Sequence, residues 1–142
     1  MQRILVALDS SPRAPGVLAA ASKLAMLSRA KLILYRAVSI PRDMPREVLN
    51  VTDVRLEEIL LQNAREDLRR LAADVPPERI DKIIPAFATT WDGICSTARE
   101  EQADLIVIGS HGYSGFDRVL GTTATKVVNH AEISVLVVRG TL

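Results

Sequence analysis

Leu105-Ile106-Val107-Ile108-Gly109-Ser110-His111-Gly112 is followed, eight residues further on, by Gly121-Thr122-Thr123 and then by the helix-like segment Ala124 to Ala131. The apolar run at its start suits a strand buried on both faces of a parallel sheet. Glycine lets a backbone approach a ligand closely and adopt positive φ. A helix N-terminus presents unpaired N–H groups and a positive dipole end to an anion. A strand, two glycine turns and a helix in this order read as a candidate phosphate cradle.

Working outward, the rest of the chain repeats the alternation of strand and helix. Arg3 to Leu8 is a short apolar run that ends in Asp9-Ser10-Ser11-Pro12. Val17, Leu18, Ala21, Leu24 and Ala25 recur at helical spacing and predict an amphipathic helix to about Ser28, with Ser11-Pro12 as its cap. Lys31 to Val38 reads as a second strand, and Ser39 to Arg46, with Pro41 and Pro45, as a loop. Leu56, Ile59, Leu60, Ala64, Leu68 and Leu71 mark a long helix stopped by Pro76-Pro77. Ile80 to Phe87 is a third strand, Ile94, Cys95 and Ala98 belong to a short helix, and Ser134 to Val138 is the fifth strand. The pattern predicts an α/β fold with a parallel sheet and right-handed crossovers, so that helices cover both faces. In such sheets ligands bind beyond the carboxyl ends of the strands, where strand order reverses.

Composition removes several function classes. The chain of 142 residues fits one domain, 1–142, and carries 18 Lys and Arg against 17 Asp and Glu. That balance argues against nucleic acid or an anionic membrane as the main partner. Its apolar runs are far shorter than the roughly 20 residues that span a bilayer, and no leader pattern opens it. A soluble, cytoplasmic protein is expected. Cys95 is the only cysteine, so neither a disulfide framework nor a thiolate metal cluster is available, and no metal site is predicted. No nucleophile paired with a general base accompanies the cradle, and the Gly-x-x-x-x-Gly-Lys-Ser/Thr loop of common NTPases is missing. A phosphoacceptor reading fails as well, because the third strand ends in Pro85-Ala86-Phe87-Ala88 rather than in an acid.

Three blocks carry a resemblance along nearly the whole chain. They are Ile4-Leu5-Val6-Ala7-Leu8-Asp9-Ser10-Ser11, Ala103-Asp104-Leu105 through Gly112, and Gly121-Thr122 through Asn129-His130-Ala131 to Val135-Leu136-Val137-Val138. In this order they resemble the universal stress protein family. The resemblance implies a Rossmann-like fold of the adenine nucleotide alpha hydrolase type, with five parallel strands in the order 3-2-1-4-5. It also implies a homodimer, and in many members an adenine nucleotide (ATP, ADP or AMP) bound where strands one and four adjoin. The glycine pattern of nucleotide-binding members matches at Gly109, Gly112, Gly121 and Thr122. Eight residues separate Gly112 from Gly121 where that pattern has nine, a spacing that also suits a monophosphate or diphosphate.

The resemblance distributes roles, and each has a plainer alternative. Asp9 stands where the family places an acid near the ribose, and its alternative is to cap the next helix. Ala7 and Leu8 line the adenine side, Ala37 offers its backbone to the adenine edge, and packing is the alternative for all three. Ile108, Gly109, His111, Gly112, Gly121, Thr122, Thr123 and Ala124 form the phosphate segment, with Mg²⁺ only as a companion of the phosphates. Otherwise Gly121-Thr122 simply opens a helix, with Thr122 as its cap. A micromolar ligand needs about 8 kcal/mol, so several donors must act together. His130 is expected to favour a helix C-terminus, Cys95 and Trp91 to pack, Arg65 to Arg70 to form a solvated face, and Arg36 is given no role. Arg42 and Arg46 stand where they would cover phosphates, a role rated below loop exposure.

In the implied order the fifth strand is an edge. An uncharged β-branched edge invites pairing, so Val135, Leu136, Val137 and Val138 are the expected dimer interface, giving a two-fold pair. Function therefore divides into a nucleotide-binding module in stress response, a stress protein acting through protein contacts without nucleotide, and a slow ATPase or nucleotidyl transferase. The first is the leading expectation.

Overall fold

The computed structural model describes residues 1–39, 53–110 and 120–140. Five strands, β1 (Arg3–Ala7), β2 (Lys31–Val38), β3 (Ile80–Phe87), β4 (Leu105–Gly109) and β5 (Ser134–Val138), form one sheet in the order β3-β2-β1-β4-β5. Every pairing is parallel. The helices are α1 (Ala14–Ser28), α2 (Asp53–Leu71), α3 (Thr90–Glu100) and α4 (Thr122–His130). The predicted α/β fold and strand order are those of the structure.

Side-chain alternation along the strands assigns the helices to faces. Ile4, Val6, Leu32, Leu34, Leu105 and Val107 pack with Val17, Leu18, Ala21 and Ala25 of α1 and Leu68 of α2. Leu5, Ile33, Tyr35, Ile106 and Ile108 point the other way and pack with Ile94 and Ala98 of α3 and Ala124 and Val127 of α4. Burial on both faces is why these strands read as continuous apolar runs rather than as alternating ones. The sheet order reverses at β1 and β4, so the crevice lies beyond Ala7 and Gly109.

Several local expectations change. Arg13, not Ser11, is the N-cap of α1, no side chain caps it, and Pro15 stands in the first turn. Proline is tolerated there because its missing N–H would have no helical partner. The long helix tightens into a 3₁₀ turn at Ala72–Asp74 before the prolines. Helix α4 begins two residues earlier than its apolar pattern, with Gly121 rather than Thr122 as N-cap. The Arg65–Arg70 segment is more than a solvated face. Leu68 is fully buried, Arg65 donates to the Ile83 carbonyl at 3.1 Å, and Asp67 pairs with Arg36 at 3.3 Å. Periodicity marks Leu68, but nothing in the run itself shows which charges find partners on the sheet.

Tyr35 packs against α3, and Cys95 lies on it. Burial pushes the Tyr35 phenol up, with the Thr97 side chain offsetting part of this and Asp92 and Glu100 adding to it. Burial likewise raises the half-buried Cys95 thiol, helped by Asp92 and Glu132 and opposed by Arg99. A raised thiol value disfavours the reactive thiolate. Both groups are neutral in the fold and charged only at high pH. Their stabilisation is therefore complete below the ordinary values, about 8.5 and about 10, and is lost as pH rises through the higher folded values. Urea midpoints measured from pH 7 to 11 should fall on the alkaline side, and less steeply in Cys95→Ala. Identical slopes would mean that the thiol ionises as freely in the fold as in the unfolded chain.

Candidate functional site

The end of β1 is held by its neighbour. The Leu8 amide donates to the Tyr35 carbonyl at 2.9 Å, extending the β1–β2 ladder past Ala7. Leu8 is buried, at 2% exposure, on the α1/α2 side, while Ala7 is half-buried on the α3/α4 side. Asp9 is exposed, and its Oδ1 accepts the Ser11 amide at 2.9 Å. This is an Asx turn, in which a short acid binds the backbone two residues on. Asp9 therefore organises the turn before α1 rather than capping the helix. Among the described residues its Oδ2 carries no protein hydrogen bond.

Ala37, half-buried, lies opposite Ala86 of β3, and both pack with Ala7 toward the α3/α4 side. Three methyl-sized side chains thus lie near the carboxyl ends of β1, β2 and β3 on one face of the sheet. Ala86 was not singled out in the sequence, because a small residue in a strand carries no chemical signal until its neighbours are known.

Beyond β4, Gly109 faces α1. A Cβ placed there would lie 3.2 Å from Val17 Cγ2, a tight contact that Val17 would have to relieve by a small shift, so this glycine eases strand–helix packing before any ligand is considered. Ile108 is buried at 6% exposure on the opposite face. The Ser110 amide donates to the Val138 carbonyl at 2.9 Å, and its own carbonyl accepts the Gly121 amide at 2.9 Å. These two bonds pin the start of α4 against the end of the β4–β5 pair. His111 and Gly112 lie outside the described residues, as do Arg42 and Arg46.

Helix α4 then begins without a side-chain cap or an acidic residue in its first turn. The first amides of any helix lack an internal acceptor, and the dipole leaves the positive end here uncompensated. Thr122 is exposed, Thr123 half-buried and Ala124 buried against the core. Ser110 is also buried, at 2% exposure, and its Oγ has no hydrogen-bond partner among the described residues. Among the described residues, neither this hydroxyl nor the first amides of α4 meet a protein partner. Asp9 just after β1, and Gly109 at the end of β4 with Gly121, Thr122 and Thr123 after it, thus stand at the two sides of the strand-order reversal.

His130, the last residue of α4, has Nδ1 2.8 Å from the Lys126 carbonyl, and its ring lies 4.5 Å from that of Trp91. Lys126 Nζ stands 5.7 Å over the same indole. Trp91 and His130 thus join α3 to α4 and take no place in the crevice. A second cavity of about 200 Å³, lined by Cys95, Arg99, Ile106 and Glu132 among others, contains none of the residues predicted for the site.

The profile of the Universal stress protein family matches residues 1–139. The chain belongs to the universal stress protein family. It is 30% identical over 140 residues to Universal stress protein A homolog 1 of Coxiella burnetii, covering 96% of this chain and 95% of that one. Among solved structures, the hypothetical protein MJ0577 superposes with a TM-score of 0.79 at 22% identity over 99% of this chain and 97% of its own. A universal stress protein in complex with cAMP gives a TM-score of 0.72 at 24% identity over 99% and 98%. Among the described residues no helix is long and apolar enough to cross a membrane.

Proposed function

We propose that residues 1–142 form one universal stress protein domain that binds an adenine nucleotide and works as a dimeric regulatory module rather than as an enzyme. The observation that carries this reading is the uncapped N-terminus of α4, tied by the Gly121 amide to Ser110 at the strand-order reversal. The amides of Thr122 to Ala124, with the two threonine hydroxyls, are the donors to phosphate. Each such bond to a charged group is worth about 1.5–3 kcal/mol, so three of them approach the total for a micromolar ligand. Asp9 offers its free carboxylate oxygen to the ribose, and Ala7 and Ala37 provide a flat rim for the base. The cAMP complex of a neighbour supports a nucleotide of this class in the same fold.

Among the described residues no group of three or more His, Cys, Asp or Glu is placed to hold a metal. Mg²⁺ in this reading arrives with the phosphates. Dimerisation rests on β5, which among the described residues pairs only with β4 and leaves Leu136 38% exposed. Cytoplasmic location is part of the same proposal.

A second reading, protein contacts without nucleotide, is favoured by the eight-residue spacing from Gly112 to Gly121 and by the engagement of Asp9 with Ser11. One preparation separates the two. Purified protein is tested for a raised 260/280 nm absorbance ratio, any released ligand is identified by mass spectrometry, and nucleotide-free protein is titrated with ATP, ADP and AMP. One Trp and two Tyr make the protein signal weak enough for bound adenine to stand out. Saturable binding by a dimer in sedimentation equilibrium is expected. A folded protein that binds none of the three at millimolar concentration would leave the second reading in place. Labelled ATP converted to product above a protein-free blank would instead favour a slow ATPase or nucleotidyl transferase.

A further inference from the structure

Arg36 is the one charged residue of β2 that faces inward, and the sequence offers no reason for it. It follows Tyr35, which points to the α3/α4 core, so alternation turns Arg36 toward α1 and α2. Its side chain is only 10% exposed. The guanidinium makes three different contacts. Nε donates to the Leu8 carbonyl at 3.0 Å, an Nη2 hydrogen goes to the Asp9 carbonyl at 3.0 Å, and Nη1 pairs with Asp67 Oδ2 of α2 at 3.3 Å. Arg70 holds the other Asp67 oxygen at 3.2 Å.

These groups line a cavity of about 300 Å³ between the turn before α1 and the end of α2, together with Ser10 and Ser11. A buried cation is retained only where its hydrogen bonds are met, and the planar fork of arginine is suited to binding adjacent acceptors at fixed angles. Here two of those acceptors are consecutive backbone carbonyls at the point where β1 ends and its chain turns to α1. Among the described residues neither carbonyl accepts a backbone amide.

We infer that Arg36 is a positioning residue: it latches the Leu8–Asp9 backbone, and through Asp67 it ties that turn to α2, so that the Asp9 carboxylate is presented to the ligand in one orientation. The consequence for binding rests on the nucleotide reading above, while the latch itself does not. Arg36 touches no ligand in this scheme. It acts by fixing the peptide from which Asp9 projects, and the Ser11 amide bonded to Asp9 Oδ1 reports that fixation.

The test uses the full chain with Arg36→Met, which keeps the aliphatic stem and removes the fork. Amide hydrogen exchange at Ser11 and calorimetric binding of ADP are measured beside the native protein. If Arg36→Met does not fold, Arg36→Lys replaces it, since a single ammonium cannot serve both carbonyls and Asp67. Expected are several-fold faster exchange at Ser11, unchanged protection of Val6 and Ile106 in the core, and ADP binding about tenfold weaker. Unchanged exchange at Ser11 would overturn the latch. So would faster exchange spread evenly over the core, the sign of a merely structural role. Faster exchange confined to Ser11 with unaltered ADP affinity would overturn the effect on binding. If the native protein itself binds no ADP, the nucleotide reading fails, and Ser11 exchange still decides the latch.

Discussion

Thr122→Asp is expected to make the protein more stable and to remove most of its affinity for nucleotide. The new carboxylate would stand at the first residue of α4, a helix whose first turn carries no acid and whose N-cap supplies no side-chain bond. A carboxylate there satisfies orphan amides and opposes the positive dipole end, which stabilises by about 0.3–1 kcal/mol. The same amides are the proposed phosphate donors, so the gain in the fold is a loss to the ligand. Losing one bond to a charged phosphate, about 1.5–3 kcal/mol, weakens binding by roughly ten- to two-hundredfold even before repulsion between the two anions. Urea denaturation and calorimetry without Mg²⁺ read the two effects separately. Thr122→Asn, polar but uncharged and one residue inside the Gly121 N-cap, should fall between. Stabilisation with native affinity would take α4 out of the binding site and leave the cradle a structural helix start.

Gly93→Val is the second large effect, and it concerns the fold alone. Gly93 lies in the first turns of α3, where a glycine ordinarily costs stability relative to alanine. Its backbone reaches the sheet so closely that an added Cβ would fall 2.6 Å from Ala88 Cβ and collide with the Tyr35 hydroxyl. Neither neighbour can move freely, since Tyr35 is 1% exposed and Ala88 belongs to the turn that leads into the helix. Overpacking of this kind costs about 1–3 kcal/mol, and the branched side chain places this variant near the upper end. For a domain of this size the melting temperature should drop by roughly 6–12 °C. Tyr35→Phe supplies the control. Among the described residues the Tyr35 hydroxyl has the Thr97 side chain as a polar neighbour but no well-formed hydrogen bond, so deleting it should cost little. Combined with Gly93→Val it should restore part of the loss, a coupling that a double-mutant cycle measures. Strict additivity of the two would show that α3 shifts bodily instead of pressing on the hydroxyl.

Much of this was visible in one dimension. The runs Ile4–Leu8, Leu32–Tyr35 and Leu105–Ile108 announce buried parallel strands because burial on both faces removes polar residues from consecutive positions. The α2 pattern from Leu56 to Leu71 announces a helix because one apolar stripe must recur every three to four residues. Helix starts were less legible. Ser11-Pro12 looks like a cap, yet Ser11 and Asp9 are engaged in a turn of their own, and the helix begins at Ala14. A cap is decided by which amide a short side chain can reach, and several arrangements of Asp9, Ser10 and Ser11 meet the same local chemistry.

The candidate site divides in the same way. The glycines at 109 and 121, the threonines at 122 and 123 and the acid at 9 carry readable signals, since each is a residue type with an unusual backbone or hydrogen-bonding capacity. Arg36, Asp67, Ala86 and Gly93 do not. Their importance lies in partners far away in sequence: a carbonyl pair on β1, a guanidinium on β2, a facing alanine, a phenol that leaves no room.

Period and residue type, both local quantities, were therefore enough for the order of elements, the parallel sheet and the glycine-bounded junction after β4. Local signals did not place β4 beside β1: the family resemblance implied it and the tertiary structure shows it, while tertiary structure alone decided that a buried arginine donates to the Leu8 and Asp9 carbonyls. Adjacency of strands and the pairing of buried charges depend on which surfaces meet when the chain packs, and that information is distributed over the whole molecule rather than held in any one segment.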